Sequence, residues 1–63
     1  MKILRLTAYP GGRVLWVNFV HVTLFYAKTG PKEQIYTVLE IIDGNTIEVF
    51  EIPEVIQNML ESK

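Results

Sequence analysis

Of the side chains from which nucleophilic or proton-transfer chemistry is usually built, the 63 residues hold one histidine, one serine and no cysteine. A hydrolase of the nucleophile type needs Ser, Thr or Cys held against a base that is itself oriented. Ser62 follows the last apolar residue, Leu60, where nothing in the pattern would fix it beside a base. His21 sits among Val20, Val22 and Phe25, where a half-buried or interface imidazole satisfied by one hydrogen bond is the expected role. A tetrahedral zinc site needs about four Cys, His or carboxylate ligands, and a lone histidine does not supply them. Asp43-Gly44-Asn45 lacks the alternating acids and distant glutamate of a calcium loop. Gly11-Gly12 matches neither the Walker nor the dinucleotide spacing and precedes no helix, so it reads as a turn. Glu40, Glu48, Glu51 and Glu54 raise the prospect of paired carboxylates. Strand alternation assigns Glu40 and Glu48 to a solvated sheet face instead. The expectation is a protein that is not an enzyme, with no cofactor and no metal; so short a chain also leaves little room for a pocket of ~300 Å³.

The charged residues are sorted along the chain. Residues 1–32 hold Lys2, Arg5, Arg13, Lys28 and Lys32 and no acid, whereas residues 33–63 hold seven acids and Lys63. Such asymmetry marks either a nucleic-acid or membrane surface, or two faces made to meet each other or a partner. The uncharged stretch from Val14 to Ala27 is fourteen residues long and broken by Asn18, His21 and Thr23. It falls short of the ~20 apolar residues that a spanning helix needs. No secretory signal pattern follows Lys2, so no membrane association and a cytoplasmic location are expected.

What remains is a single domain over residues 1–63, α+β but mostly β, of about five antiparallel strands in a meander or partial barrel with one C-terminal amphipathic helix. Lys2 to Ala8 alternates, with Leu4, Leu6 and Ala8 on one face. Pro10-Gly11 suits the centre of a type II turn, so a hairpin to the next strand is expected. The run from Arg13 to Lys28 is rich in β-branched and aromatic residues but too long for one ordinary strand. Asn18 tolerates a bulge or bend and splits it into Arg13–Val17 and Val20–Lys28. Thr29 to Glu33 reads as a polar loop. Ile35 to Ile42 and Thr46 to Glu51 form a hairpin through Asp43-Gly44-Asn45, whose three-residue loop would pair Ile41 with Ile47 and Leu39 with Val49. That register sets Glu40 opposite Glu48, a repulsion that Arg5 or Arg13 would relieve. Ile52, Val55, Ile56, Met59 and Leu60 then fall on one stripe of a helix, with Pro53 in its first turn and Glu54 near its positive end.

With 49% hydrophobic residues and no disulfide, so small a domain is expected to cover part of its apolar surface by self-association, as a dimer or higher oligomer, or against a protein partner. If Leu4, Leu6, Val14, Trp16, Leu39, Ile41, Ile47, Val49 and the helix stripe fill the core, then Leu15, Val17, Phe25, Val38 and Phe50 face outward. Phe25, Tyr26, Tyr36, Val38 and Phe50 are therefore the candidate interface residues, with the first three as aromatic anchors. A partial barrel that buries both sheet faces is the competing arrangement. The alternative function is a small nucleic-acid-binding, transcription-regulatory protein that uses Arg5, Arg13, Lys28, Lys32 and Trp16 as a basic surface with a stacking platform. The isoelectric point of about 5.7 and the single spacing of the basic residues weigh against it.

Leu4-Arg5-Leu6, Val17-Asn18 at a strand end, Asp43-Gly44 in a hairpin, and Thr46, Val49, Glu51 and Val55-Ile56 before and within the terminal helix together form a wider pattern. It resembles the small FlbD-type proteins associated with flagellar operons and, more loosely, the β-rich LytTR module of bacterial response regulators. The segment Lys28 to Gln34 is longer than in the FlbD-type pattern, and the basic recognition residues of a DNA-binding LytTR domain are missing. The resemblance implies a bacterial or phage regulatory accessory protein without enzymatic activity, and it carries over no binding residue.

Overall fold

The computed structural model describes residues 2–62 and is a small α+β fold of five antiparallel strands in two sheets with one C-terminal helix. Strands β1 (Ile3–Thr7) and β2 (Val14–Asn18) form the first sheet. The second has the order β3 (Val22–Thr29), β4 (Ile35–Ile41), β5 (Thr46–Val49), followed by helix α1 (Pro53–Glu61). The two sheets meet at one corner. Ala8 bridges Val49, Tyr9 N–H donates to Glu48 O at 2.9 Å, and Phe50 N–H donates to Thr7 O at 2.8 Å. Glu51 fastens that corner from both sides. Its carboxylate accepts from Thr7 N–H at 2.9 Å and from the Thr7 hydroxyl at 3.0 Å, while its backbone carbonyl accepts from the hydroxyl of fully buried Thr37. The core lies between the sheets: Leu4, Leu6 and Val17 from the first, Leu39 and Val49 from the second, and Ile56 closing it from α1.

The first hairpin forms as the alternation requires, but its loop differs from a type II turn at Pro10-Gly11. Four residues, Tyr9 to Gly12, separate the paired Ala8 and Arg13; the Tyr9–Pro10 bond is cis, and Gly12 rather than Gly11 takes a positive φ of 86°. Loop parity decides which side of β2 faces the core. With an even loop, Leu4 pairs with Val17 and Leu6 with Leu15, so these four share the inner face. Val14 and Trp16, expected in the core, are exposed, while Leu15 and Val17, expected outside, pack inward.

The long run does break at Asn18, by the expected bend rather than a bulge. The Asn18 side chain accepts from Val20 N–H at 3.1 Å and starts a single 3₁₀ turn over Phe19–His21. This is the short polar side chain's usual competition with a ladder. The bulge lies later, between Val22 and Leu24. In the β4–β5 hairpin the loop again has three residues, but they are Ile42, Asp43 and Gly44: Ile41 N–H donates to Asn45 O at 2.9 Å, and Gly44 turns with φ 95°. Leu39 therefore opposes Ile47 and Thr37 opposes Val49, two residues from the expected register, which preserves both faces. Glu40 opposes Thr46 and Glu48 opposes Val38, so the expected glutamate pair does not face across the strands, and Arg5 lies across from Trp16 in the other sheet.

Helix α1 begins with Pro53 in its first turn and Glu54 beside it, as the dipole argument requires. The buried stripe is narrower than the periodicity suggests. Ile56 is fully buried and Met59 and Leu60 pack against the core, but Ile52 and Val55 remain exposed.

Candidate functional site

Two apolar surfaces face away from the core, one on each sheet. On the second, β4 alternates Thr37, Leu39 and Ile41 inward with Tyr36, Val38 and Glu40 outward. Even so, Tyr36 is only 7% and Val38 only 4% exposed. Tyr9 reaches over from the β1–β2 loop and stacks on Tyr36, with ring centroids 4.0 Å apart and planes 5° from parallel. Phe50 meets Tyr9 edge-on at 5.0 Å. The packing is close enough that a Cβ at Gly30 would collide with the Tyr9 hydroxyl and stand 3.2 Å from Tyr36 Cε1.

This cluster corrects the expected interface. Tyr36 and Val38 are buried, Phe50 is half-buried beneath Tyr9, and Phe25 points inward to join the core, 6.2 Å edge-on from Phe19. Of the five candidates only Tyr26 lies open, at 42%. A loop side chain folded across a sheet is a long-range contact that strand alternation does not encode.

On the first sheet, no aromatic stack or edge contact covers the outer face among the described residues. The outward set of β1 and β2 is Ile3, Arg5 and Thr7 beside Asn18, Trp16 and Val14, and the indole of Trp16 is 70% exposed opposite Arg5. Next to it, between β2 and the β4–β5 hairpin, runs an open groove of about 420 Å³. It is lined by Leu15, Val17, Ile41 and Ile47 together with Trp16 and Ile42, each 70% exposed, and by the polar Asn18, His21 and Asp43. An apolar groove with two large, exposed apolar side chains in its lining has the composition of an interface core. A second depression lies beside α1, lined by Phe25, Pro53, Glu54, Gln57 and Asn58.

The residues of the nucleic-acid reading are dispersed. Arg5 and Trp16 face one another on the first sheet, Arg13 follows the first loop, Lys28 lies beside Tyr36 on the second sheet, and Lys32 is at the tip of the Pro31–Glu33 turn. Only Arg5 and Trp16 are direct cross-strand neighbours. Among the described residues no group of three or more His, Cys, Asp or Glu side chains could hold a metal ion, and no buried side-chain nitrogen or oxygen lacks a partner. No helix is long and apolar enough to cross a membrane.

Val14 and Ile42 were not among the expected surface groups, and Trp16 was expected there only in the nucleic-acid reading. Their exposure follows from register: a turn at Pro10-Gly11 already pairs Leu4 with Val17 and Leu6 with Leu15, which leaves Val14 and Trp16 outside, and alternation past inward Ile41 turns Ile42 outward. Set against family models, curated proteins and solved structures, the chain matches none.

Proposed function

We propose that this chain is a non-enzymatic interaction module that self-associates through the outer side of the β1–β2 sheet and the neighbouring groove, with Trp16 as its anchor. The observation that carries this reading is the exposure of Trp16 and Ile42, 70% each, both lining one apolar groove. Tryptophan is the residue type with the largest share of interface hot spots, and a wet indole beside an apolar cleft is a surface that association would cover. The regulatory accessory role implied by the FlbD-type resemblance is part of the same proposal, as is the absence of catalysis.

The lone tryptophan supplies the test. Sedimentation velocity and Trp16 emission are followed together from about 1 µM to about 1 mM protein, the range over which mass action populates a weak oligomer. A rise in sedimentation coefficient accompanied by a blue shift of the indole emission is the expected result. A particle that stays monomeric, with unchanged solvent-exposed emission, overturns the reading.

A further inference from the structure

β2 pairs with β1 alone, and the hydrogen-bond pattern shows which of its groups are left over. Ala8 N–H donates to Arg13 O at 2.7 Å and Phe19 N–H donates to Lys2 O at 2.9 Å. In an antiparallel ladder alternate residues bond to the neighbour. Arg13, Leu15, Val17 and Phe19 therefore turn their peptide groups toward β1, and those of Val14 and Trp16 point the other way, along the groove. β3 also pairs on one side only, but its edge is guarded: a bulge interrupts it at Val22 to Leu24, α1 lies against Phe25, and Lys28 stands near its end. Bulges, covering helices and lysines are the usual protections of a sheet edge. β2 pairs with β1 through all five of its residues without a bulge, and carries no lysine.

We infer that the β2 edge is where a second copy of this chain adds, β2 against β2, antiparallel about a two-fold axis beside Trp16. This rests on the self-association proposed above and assigns it a surface and a register. Charge selects the orientation. Arg13 stands before the N-terminal end of β2, and Asp43 follows Ile42, whose N–H donates at 2.8 Å to the carbonyl of His21 just past the C-terminal end of β2. Antiparallel addition brings Arg13 of each copy toward Asp43 of the other, once on each side of the axis. Parallel addition would gather the like charges together. A two-fold interface is self-complementary, which a single stretch bearing an arginine at one end and an aspartate at the other satisfies. Size points the same way. A stable interface takes about 800 Å² from each partner, roughly a fifth of the 4496 Å² surface. A five-residue ladder alone does not supply that, so Trp16, Ile42 and the groove must be covered with it.

With Trp16 opposite its own copy, Val14 faces Asn18 of the second copy, Cα atoms about 5.5 Å apart and within disulfide reach. The natural chain has no cysteine, so the cross-link is unambiguous. Val14→Cys and Asn18→Cys proteins are mixed and oxidised at a concentration where the unaltered chain self-associates. A disulfide dimer in the mixture, with little in either protein alone, is the expected result. Cross-linking of Val14→Cys to itself indicates parallel strands and overturns the proposal, as does the absence of any cross-link. A second measurement does not depend on cysteine: Arg13→Glu and Asp43→Lys each weaken association about three- to tenfold at low salt, and the double reversal restores it. If the reversals leave the association of a demonstrably dimeric chain unchanged, the β2 assignment falls while self-association through another surface stands. If the unaltered chain is monomeric throughout, both fall.

Discussion

The two sheets treat the face they turn away from the core in opposite ways. The β3–β4–β5 sheet covers the middle of its own: Tyr9 crosses from the first hairpin to stack on Tyr36, and the central strand is buried from Tyr36 to Leu39, while Leu24 and Tyr26 on β3 stay open. The β1–β2 sheet keeps Ile3, Val14 and Trp16 in solvent, beside an uncovered groove. Both faces are apolar in composition, so composition alone does not mark an interface. What separates them is whether the chain has a segment long enough to reach over. The Tyr9-to-Gly12 loop has that reach toward the second sheet, and among the described residues no aromatic side chain stacks across the outer face of the first.

The sharpest way to break the contrast is to show that the stability of the fold rests elsewhere. Leu39→Ala removes a fully buried side chain from the centre of the core and should cost about 3–5 kcal/mol in denaturant unfolding, a large share of the total for a chain of this length. A Leu39→Ala protein that retains native near-ultraviolet circular dichroism and an unchanged midpoint would mean that the core has been misplaced. Next comes the self-covered face. Gly30→Ala drives a methyl into the Tyr9–Tyr36 stack and should cost about 1–3 kcal/mol. Adding Tyr9→Phe removes the colliding hydroxyl and should recover part of that loss; additive costs would show that the two residues do not touch.

At the corner where the sheets join, Glu51→Gln keeps one acceptor for Thr7 but gives up the charge. We expect a loss of about 1 kcal/mol, together with faster amide exchange at Thr7 than elsewhere in β1. A gain is expected in the turn before β4, where Lys32 and Glu33 adopt φ of 60° and 59°, the left-handed region that costs side chains with a Cβ. Glu33→Gly should raise stability by about 0.5–1 kcal/mol after the greater freedom of glycine in the unfolded chain is offset; a lower melting temperature would contradict it. The smallest effect is the one that completes the comparison. Trp16→Ser, measured at concentrations where the chain is monomeric, should change unfolding free energy by no more than about 0.5 kcal/mol, because the indole covers little of its own molecule.

Much of the architecture was legible in the residues. Alternation in β1 placed Leu4 and Leu6 correctly, Pro53 and Glu54 marked the start of α1, and Asp43-Gly44 located the second hairpin. Asn18 marked the break in the long apolar run, where it caps a 3₁₀ turn. The failures have separate causes. The turn expected at Pro10-Gly11 and the observed loop from Tyr9 to Gly12 give one and the same register, Leu4 with Val17 and Leu6 with Leu15. Cross-strand pairing, rather than alternation within β2 alone, is what puts Trp16 and Val14 on the surface. The burial of Tyr36 and Val38 depends on Tyr9, distant in sequence, and strand pattern is blind to it. The candidate site was thus less readable than the fold, since it consists of the apolar groups that cross-strand register and loop reach left over.

The corner between the sheets also orders events during synthesis. Thr7 and Ala8 near the start of the chain are fastened to Val49, Phe50 and Glu51 near its far end. The amino-terminal hairpin therefore emerges from the ribosome well before the surface that completes it, whereas β3, β4 and β5 follow one another and pair with immediate neighbours. Leu4, Leu6 and Val17 stay wet until roughly the last quarter of the chain has been translated, and in that interval the hairpin is open to any chaperone or nascent copy that favours bare strands.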